Sequence, residues 1–599
     1  MTDPTRPFAL ARRAFAHLAC AAACALATPA GAATQPSVLT VPRLAKFASL
    51  DPVRGYDQTG EQITREVYST LMTYAYLERP YRLEPDLLAA MPTVAADRRT
   101  WTFKLRPGVR FTDSPCFAGG QGRELTADDV LYSLKRYADG NLNNASWFAL
   151  QGAVVGLDEY HAATLKAGAG ADLTGVDVAG LRKVDATTFT ITLTRENPLF
   201  LHALTLAPTA IVPREAVQFY KDRFGVNPVG TGPFMATGEL TRNGTLRLVR
   251  NPRYFRTYPG VGAPGDAETG LLKDAGKPLP IADVLEMPLI EEPQPAALKF
   301  LRGELDWRPL DRTWFSKMVV RGADGGFRLA GEYAGKFVIY GAASMETDYL
   351  LVNLRDPVLG SNKLLRQAIA AAIDPQAIID VLRNGLGRRL QSPVPHDLPG
   401  SERETGAVAR PHDVAAARAL LARAGYPEGK GLEPLTLSFF ETNATTRNEF
   451  DLLRSQLATI GVKAKARFMD QHTFTKAVEG GNFQIASYGW VADYPDAEDF
   501  YQLNYGPNVP PGSNWSGYAN PAYDAAYEGS RFLANGAERL ARFRTMNALI
   551  QDDVPMIPLF TPLKFGVVQA WIGNFKRNLL IQEPMFMSVD MARKKQGVR

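Results

Sequence analysis

The segment from Leu435 to Trp490 alternates short apolar runs with stretches of helical periodicity, and this order restricts the possible folds more than any other feature. Three apolar runs are typical of buried strands, and the segment between the first two places apolar residues on one helical face. A strand–helix–strand–helix–strand order predicts an α/β unit with a mainly parallel sheet. The predicted elements are strands at 435–440, 462–468 and 483–490, a helix at 445–460 and a short helix before the last strand.

Asp493 stands just beyond the carboxyl end of the last predicted strand. Ligands bind outside the carboxyl ends of strands in open α/β sheets, so a ligand site is predicted there. Asp496, Glu498 and Asp499 follow Pro495, where acids also stabilise the start of a helix. Two interpretations of this stretch stay open, because a pair such as Asp493 and Asp496 also has the composition of a glycosidase site.

A signal peptide is predicted for residues 1–32. Three arginines precede an Ala-rich apolar run, and the small residues at 30–32 are typical of a cleavage site. The run is too short for a permanent membrane span, so the mature protein is expected outside the cytoplasm. General secretion and twin-arginine export both stay open, because Arg12 and Arg13 are adjacent.

Cys116 is the one cysteine that remains after cleavage, since Cys20 and Cys24 belong to the signal peptide. An exported chain with one thiol has no internal disulfide, so its stability depends on its core. Cys116 is interpreted as a structural thiol because no histidine partner is suggested. No lipid anchor is expected, because Cys20 and Cys24 lack the leucine three positions ahead that precedes a lipidated cysteine.

Length and composition exclude several classes of protein. A chain of 599 residues exceeds one ordinary core, so two or more lobes are predicted. The net charge of +5 is spread without a basic run, which argues against a nucleic-acid partner. The sequence has no HExxH, CxxC, GxSxG or Walker A pattern, and its histidines are far apart. Neither an enzyme class, a cofactor nor a metal is indicated.

Local patterns predict further elements outside the α/β unit. Residues 101–106 alternate apolar and polar side chains and are predicted to form a strand. Thr126 is predicted to cap one helix, and Asp374 with Pro375 to begin another. The segment 259–280 is rich in Gly, Pro and Ala and is predicted to be an exposed insertion.

Short segments in a fixed order extend over nearly all of the mature chain. Among them are TWTFKLRPGVRFTD (100–113), LTADDVLYSLKR (125–136), PVGTGPF (228–234), LLRQAIAAAIDP (364–375), VADYPDAEDF (491–500) and DVPMIPLF (553–560). By these segments the chain resembles the family 5 extracellular solute-binding proteins of ABC importers, the group of the dipeptide- and oligopeptide-binding proteins.

The resemblance implies an α/β periplasmic-binding-protein fold with two hinged lobes, mixed and parallel sheets, and an extra subdomain on the N-terminal lobe. Two such lobes close around a ligand by a hinge motion. The implied boundaries are 33–65, 185–308 and 555–599 for lobe I, 66–184 for its extra subdomain and 309–554 for lobe II.

The same resemblance implies a periplasmic receptor that is not an enzyme and carries no cofactor. It would capture a peptide and deliver it to an inner-membrane permease whose own subunits hydrolyse ATP, and we expect it to be a monomer. Other solutes stay open, namely a metal chelate, an oligosaccharide or a peptide-like antibiotic. The alternative from another class is a secreted hydrolase that uses paired carboxylates.

In the peptide-binding members, the acid in the segment that matches VADYPD pairs with the α-ammonium group of the ligand, which implies this role for Asp493. Trp490 and Tyr494 flank Asp493 and are candidates for the pocket wall, with a core position as the alternative. The loop 114–124 is longer than the usual turn of the family. Its role and that of the segment 259–280 stay open.

Overall fold

The structure, a computed structural model, describes residues 35–598 with the exception of Tyr56, Pro80, Thr174, 323–325, Pro511 and Gln582. The predicted signal peptide therefore lies outside the described residues. The described residues from Val38 onward belong to one compact unit, and every element below is part of it.

The strands and helices alternate in irregular order along the chain. The strands are β1 Val38–Thr40, β2 Met72–Tyr74, β3 Leu83–Pro85, β4 Thr93–Val94, β5 Thr100–Lys104, β6 Leu181–Lys183, β7 Thr188–Thr192, β8 Phe234–Ala236, β9 Thr245–Arg250, β10 Val284–Pro288, β11 Trp307–Pro309, β12 Val319–Arg321, β13 Phe327–Leu329, β14 Phe337–Ala343, β15 Glu346–Val352, β16 Gly387–Arg389, β17 Leu435–Phe440, β18 Ala464–Met469, β19 Ile485–Val491, β20 Met556–Gln569, β21 Ile572–Gly573 and β22 Ser588–Val589. The α-helices are α1 Gln58–Val67, α2 Ala127–Tyr137, α3 Leu157–Ala167, α4 Phe200–Ala203, α5 Arg214–Tyr220, α6 Pro293–Leu301, α7 Arg312–Met318, α8 Lys363–Ala372, α9 Pro375–Leu382, α10 Glu402–Thr405, α11 Val414–Arg423, α12 Ala444–Ala458, α13 Gln471–Glu479, α14 Glu498–Tyr501, α15 Pro521–Arg531, α16 Ala537–Asp553 and α17 Met591–Gln596.

Three larger sheets organise these strands. One four-stranded sheet has the order β1-β10-β9-β8, and a second has the order β4-β5-β7-β6. The eight-stranded sheet has the order β11-β20-β15-β19-β17-β18, with β14 and β16 also paired to β20. The two smaller sheets take their strands from the first half of the chain and the large one from the second half.

The predicted α/β unit is confirmed in the large sheet. β17 runs parallel to both β18 and β19, and the helices α12 and α13 make the connections. Alternating apolar residues of the strands and the apolar face of α12 are buried together, which stabilises this arrangement. The sheet as a whole is mixed, because β15 runs antiparallel to β19 and to β20.

The long strand β20 joins two parts of the large sheet. Its first part pairs with β15 and β16, and its second part pairs with β14 and β11. The predicted crossings between lobes, at 308/309 and 554/555, fall in β11 and just before β20, which are hydrogen-bonded neighbours. The lobe boundaries themselves stay a prediction.

The predicted helix starts are confirmed. The Thr126 N–H donates to the Asp129 carboxylate at 2.9 Å, which completes a capping box at the start of α2. Asp374 accepts from the Gln376 N–H at 2.9 Å, and Pro375 occupies the first position of α9.

The segment 259–280 is exposed along most of its length, as predicted, but two buried acids attach it to the C-terminal part of the chain. Asp266 pairs with Lys576 at 2.7 Å, and Asp274 accepts from Asn574 at 2.7 Å. Each partner lies 300 or more residues away, so no local pattern predicts the attachment.

Cys116 lies half-buried in the predicted loop 114–124. Burial raises the pKa of its thiol, which lowers the thiolate fraction at neutral pH and supports the structural interpretation. None of the helices in the part of the chain that the structure describes has the length and hydropathy that a membrane span requires.

Candidate functional site

A cavity of about 510 Å³ lies where β17 and β19 separate. The pairing of these parallel strands ends at Ser438 and Ala486, although β17 continues to Phe440 and β19 to Val491. The carboxyl ends of both strands therefore border the cavity, which is the ligand position expected for an α/β sheet. The strand residues that line it are Phe439, Phe440, Ser487, Tyr488, Gly489 and Val491.

Parts of the chain that are distant in sequence close the cavity. Residues 44–46 and 57–59, near the N-terminal end of the described chain, form one wall. Side chains from β15, α12, α13 and β20 form the others. The volume falls within the roughly 300–1,000 Å³ that small-molecule sites occupy.

One edge of β19 faces this cavity. β15 pairs with β19 along its whole length, from Ile485 to Val491. On the other side β17 covers Ile485 and Ala486 alone, so the edge of residues 487–491 borders the cavity. An extended peptide can add to such an edge through main-chain hydrogen bonds.

Charged side chains line the cavity unevenly. Acids outnumber bases in the lining, which contains Asp57, Glu346, Asp348, Glu441 and Glu449 against Lys46 and Arg383. Burial first, and then the neighbouring Glu346, raise the pKa of Asp348 to about 8. The region thus disfavours a further negative charge.

Asp493 follows the end of β19 by two residues and is half-buried. Its N–H donates to Asp499 Oδ2 at 2.9 Å, which fixes the backbone at this position. Burial and, secondly, the charge of Asp493 raise the pKa of Tyr137 on α2. Val491 lines the cavity and Asp493 does not, so the structure places Asp493 beyond one end of the lining.

The other acids of this stretch hold buried partners. Arg539 donates to both oxygens of Asp496 at 2.7 Å, and both side chains are buried. Glu498 accepts hydrogen bonds from the Tyr494 and Tyr527 hydroxyls and lies 3.3 Å from Arg531. Such contacts fix the loop that carries Asp493.

Of the two interpretations of these acids, the helix-start one holds in part. Glu498 and Asp499 occupy the first turn of α14, as that interpretation requires. The glycosidase-type pair is not supported, because the carboxylate of Asp496 is already occupied by Arg539. No group of metal-ligating side chains occurs among the described residues.

Trp490 and Tyr494 are both buried in the structure. Trp490 Nε1 donates to Asp499 Oδ2 at 3.0 Å. Tyr494 packs against Phe148 and Leu206, which belong to the first half of the chain. These positions correspond to the core alternative, and a role of either ring as a pocket wall stays a prediction.

Comparisons with known proteins identify the family of the chain. The profile of the family described as bacterial extracellular solute-binding proteins, family 5, matches residues 82–511. The chain belongs to this family. The di/tripeptide-binding protein 1 of Pseudomonas aeruginosa is 24% identical over 498 residues, which cover 82% of each chain.

Solved structures show the fold of this solute-binding protein. The ABC transporter-associated periplasmic binding protein DppA from Helicobacter pylori, in complex with the peptide STSA, superposes with a TM-score of 0.74 at 20% identity, covering 92% of this chain and 98% of that one. Haemophilus influenzae OppA, in complex with the peptide RPPGFSPFR, gives 0.73 at 18% identity, covering 93% and 99%. The fold is the two-lobed fold of periplasmic binding proteins.

None of the five acids of the cavity lining was singled out from the sequence, namely Asp57, Glu346, Asp348, Glu441 and Glu449. One signal was available, because Glu346 and Asp348 are two residues apart in a strand and must share a face. The presence of Glu449 in the same lining depends on the packing of α12, which no local pattern reveals.

Asp499 is a buried carboxyl group at the centre of the loop that carries Asp493. Oδ2 accepts two hydrogen bonds, while Oδ1 has no hydrogen-bond partner among the described residues. Burial, and secondly the charge of Asp493, raise the pKa of Asp499 well above its ordinary value of 3.8. The folded protein therefore holds this proton more tightly than the unfolded chain does.

Asp499→Asn should reduce the loss of stability that accompanies rising pH. Above pH 3.8 the unfolded chain releases this proton, whereas the folded protein keeps it until a higher pH. Each pH unit in this range therefore lowers the free energy of unfolding by at most about 1.4 kcal/mol. Asparagine keeps an acceptor for both hydrogen bonds and has no charge to bury. Urea unfolding of the original protein and of Asp499→Asn at pH 5 and pH 7.5 tests this. The prediction is contradicted if the free energy of unfolding changes equally between the two pH values in both proteins.

Proposed function

We propose that this solute-binding protein is the peptide receptor of an ABC importer. The observation that carries the proposal is the edge of β19 at residues 487–491, which borders a cavity of ligand size. A peptide that adds to this edge gains affinity through its main chain, which lets one site accept many sequences. The related Pseudomonas aeruginosa protein is named for di- and tripeptides, which supports the same ligand class here.

Asp493 is the anchor for the peptide N-terminus in this proposal. Asp493 lies two residues beyond the carboxyl end of β19. A peptide bound along the edge of residues 487–491 could reach this position with its N-terminus. A charge-assisted hydrogen bond between a carboxylate and an ammonium group contributes roughly 1.5–3 kcal/mol. Its N–H bond to Asp499 and the ion pair of Asp496 hold the loop in place before the ligand arrives.

The proposed transport cycle is that of a receptor with two hinged lobes. Lobe I (33–65, 185–308 and 555–599, with the subdomain 66–184) and lobe II (309–554) close on the peptide because the closed state makes contacts that the open state lacks. The closed receptor, a monomer in the periplasm, docks on a permease. The sequence has no Walker A loop, so ATP hydrolysis belongs to other subunits.

Native mass spectrometry of the mature protein, purified from its own cell envelope, tests this function. We expect an adduct that fragments as a peptide. A metal chelate or oligosaccharide in its place would contradict the peptide assignment and leave the receptor class intact.

If the purified protein carries no adduct, calorimetric titration with di- and tripeptides decides. We expect stoichiometric binding, with the peptide recovered unchanged by mass spectrometry. Cleaved peptide would support the hydrolase, and the absence of binding to any peptide would contradict the proposal.

A further inference from the structure

The cavity beside β19 contains more negative charge than its own cations neutralise. Glu346 pairs with Lys564, and Arg383 lies 3.5 Å from Asp348. The oxygens of Asp57 accept the N–H groups of Gly60 and Ala48 at the start of α1, at 2.7 and 3.0 Å. The remaining charged residues of the lining are one base, Lys46, and two acids, Glu441 and Glu449.

Glu449 is the buried one of these two acids. It is 8% exposed, lines the cavity, and accepts a hydrogen bond from the Ser487 hydroxyl at 2.5 Å. Within the part of the chain that the structure describes, no lysine or arginine pairs with it. A buried carboxylate without a cation is costly, and a cationic group of the ligand would remove that cost.

Gly489 opens the same region to the ligand. Asp348 is directly opposite Gly489 in the β15–β19 pairing, and Glu346 is opposite Val491, so these side chains share one face of the sheet. A Cβ atom at Gly489 would lie 2.9 Å from Asp348 Oδ1. Glycine therefore leaves both carboxylates accessible from the cavity.

Aromatic rings form the wall next to these acids. Phe560 is directly opposite Asp348 in the pairing of β15 and β20. Phe439 also lines the cavity and packs against Phe450, the residue after Glu449 on α12, with ring centroids 6.1 Å apart. Such rings pack against the aliphatic part of a lysine or arginine side chain and attract its charge. Aromatic rings next to carboxylates fit a long basic side chain better than a purely apolar or an acidic one.

We propose that this cavity contains a subsite for a basic side chain of the bound peptide, lysine or arginine. Glu449 and Asp348 are its specificity-determining residues, and Phe439 and Phe560 contact the aliphatic part of the side chain. The inference rests on the proposed function, because it assigns a preference to the same ligand site.

Matched tripeptides test the subsite. Lys-Ala-Ala, Ala-Lys-Ala and Ala-Ala-Lys are titrated calorimetrically against counterparts with norleucine, which has a similar aliphatic chain without the ammonium group, and with glutamate. At one position we expect lysine to bind about tenfold or more tightly than norleucine, and glutamate more weakly than both. The preference for lysine should be lost in Glu449→Gln and reduced in Asp348→Asn.

Glu433→Gln is the matched control, because Glu433 is exposed and precedes β17 at the end opposite the cavity. It should keep the ratio of lysine to norleucine affinity of the original protein. Binding of norleucine peptides as tightly as lysine peptides at all three positions would overturn the subsite and leave the peptide receptor intact. The absence of binding to every peptide would overturn both proposals. If Glu449→Gln fails to fold, the ratio of lysine to norleucine affinity in the original protein decides whether the subsite exists.

Discussion

Asp493→Asn should weaken the binding of peptides with a free N-terminus by about 10- to 100-fold, because it removes the charge that pairs with the α-ammonium group. The fold should be unchanged, since asparagine has nearly the same shape as aspartate and keeps the backbone N–H that donates to Asp499. Calorimetric titration with one di- or tripeptide measures the affinity, and thermal unfolding checks the fold.

N-terminal acetylation of the peptide is the matching change on the ligand. The original protein should bind the acetylated peptide much more weakly than the free one, whereas Asp493→Asn should discriminate little between them. Glu433→Gln changes charge by the same amount at an exposed position and should behave like the original protein. Equal affinity of Asp493→Asn and the original protein for the free peptide would refute the role of Asp493.

Predictions that depended on local patterns agreed with the structure. The order of strands and helices between Leu435 and Val491 follows from hydrophobic periodicity, because burial of one face stabilises each element. The capping box of Thr126 and Asp129 is likewise a contact between residues three positions apart. The position of Asp493 at the carboxyl end of β19 follows from the same pattern.

Features that depend on distant partners were outside the reach of these patterns. In the sequence Asp496 is one of several acids that follow Pro495. Its partner Arg539 is 43 residues away, so the local pattern does not reveal the ion pair. The attachment of Asp266 to Lys576 spans 310 residues. Such pairs are decided by how the elements pack, which local periodicity does not encode.

The cavity illustrates the same limit at the level of the site. Its acidic side chains come from the start of α1, from β15, from the end of β17 and from α12. Each is ordinary in its local context, as a helix cap, a strand residue or a helix residue. Their shared property, a surplus of negative charge around one cavity, exists only once the strands have diverged.

Breaking the Asp496–Arg539 pair should produce the largest loss of stability among the substitutions considered. Both side chains are almost fully buried and both bonds are 2.7 Å long. Asp496→Ala leaves the guanidinium buried without its counterion, which costs about 3–5 kcal/mol. Chemical unfolding measures the change, and Asp177→Asn, in an exposed Arg182–Asp177 pair of similar length, should have little effect.

The double variant Asp496→Ala/Arg539→Met separates the cost of the unpaired guanidinium charge from the cost of the packing lost when the Asp496 side chain is truncated. Because it removes both charges, it should recover part of the stability lost in Asp496→Ala. Asp496 also accepts the Glu498 N–H at 2.8 Å, so its loss should loosen the loop that carries Asp493 and reduce peptide affinity as well. A loss of stability in Asp496→Ala no larger than that of Asp177→Asn would show that the pair does not hold the loop in place.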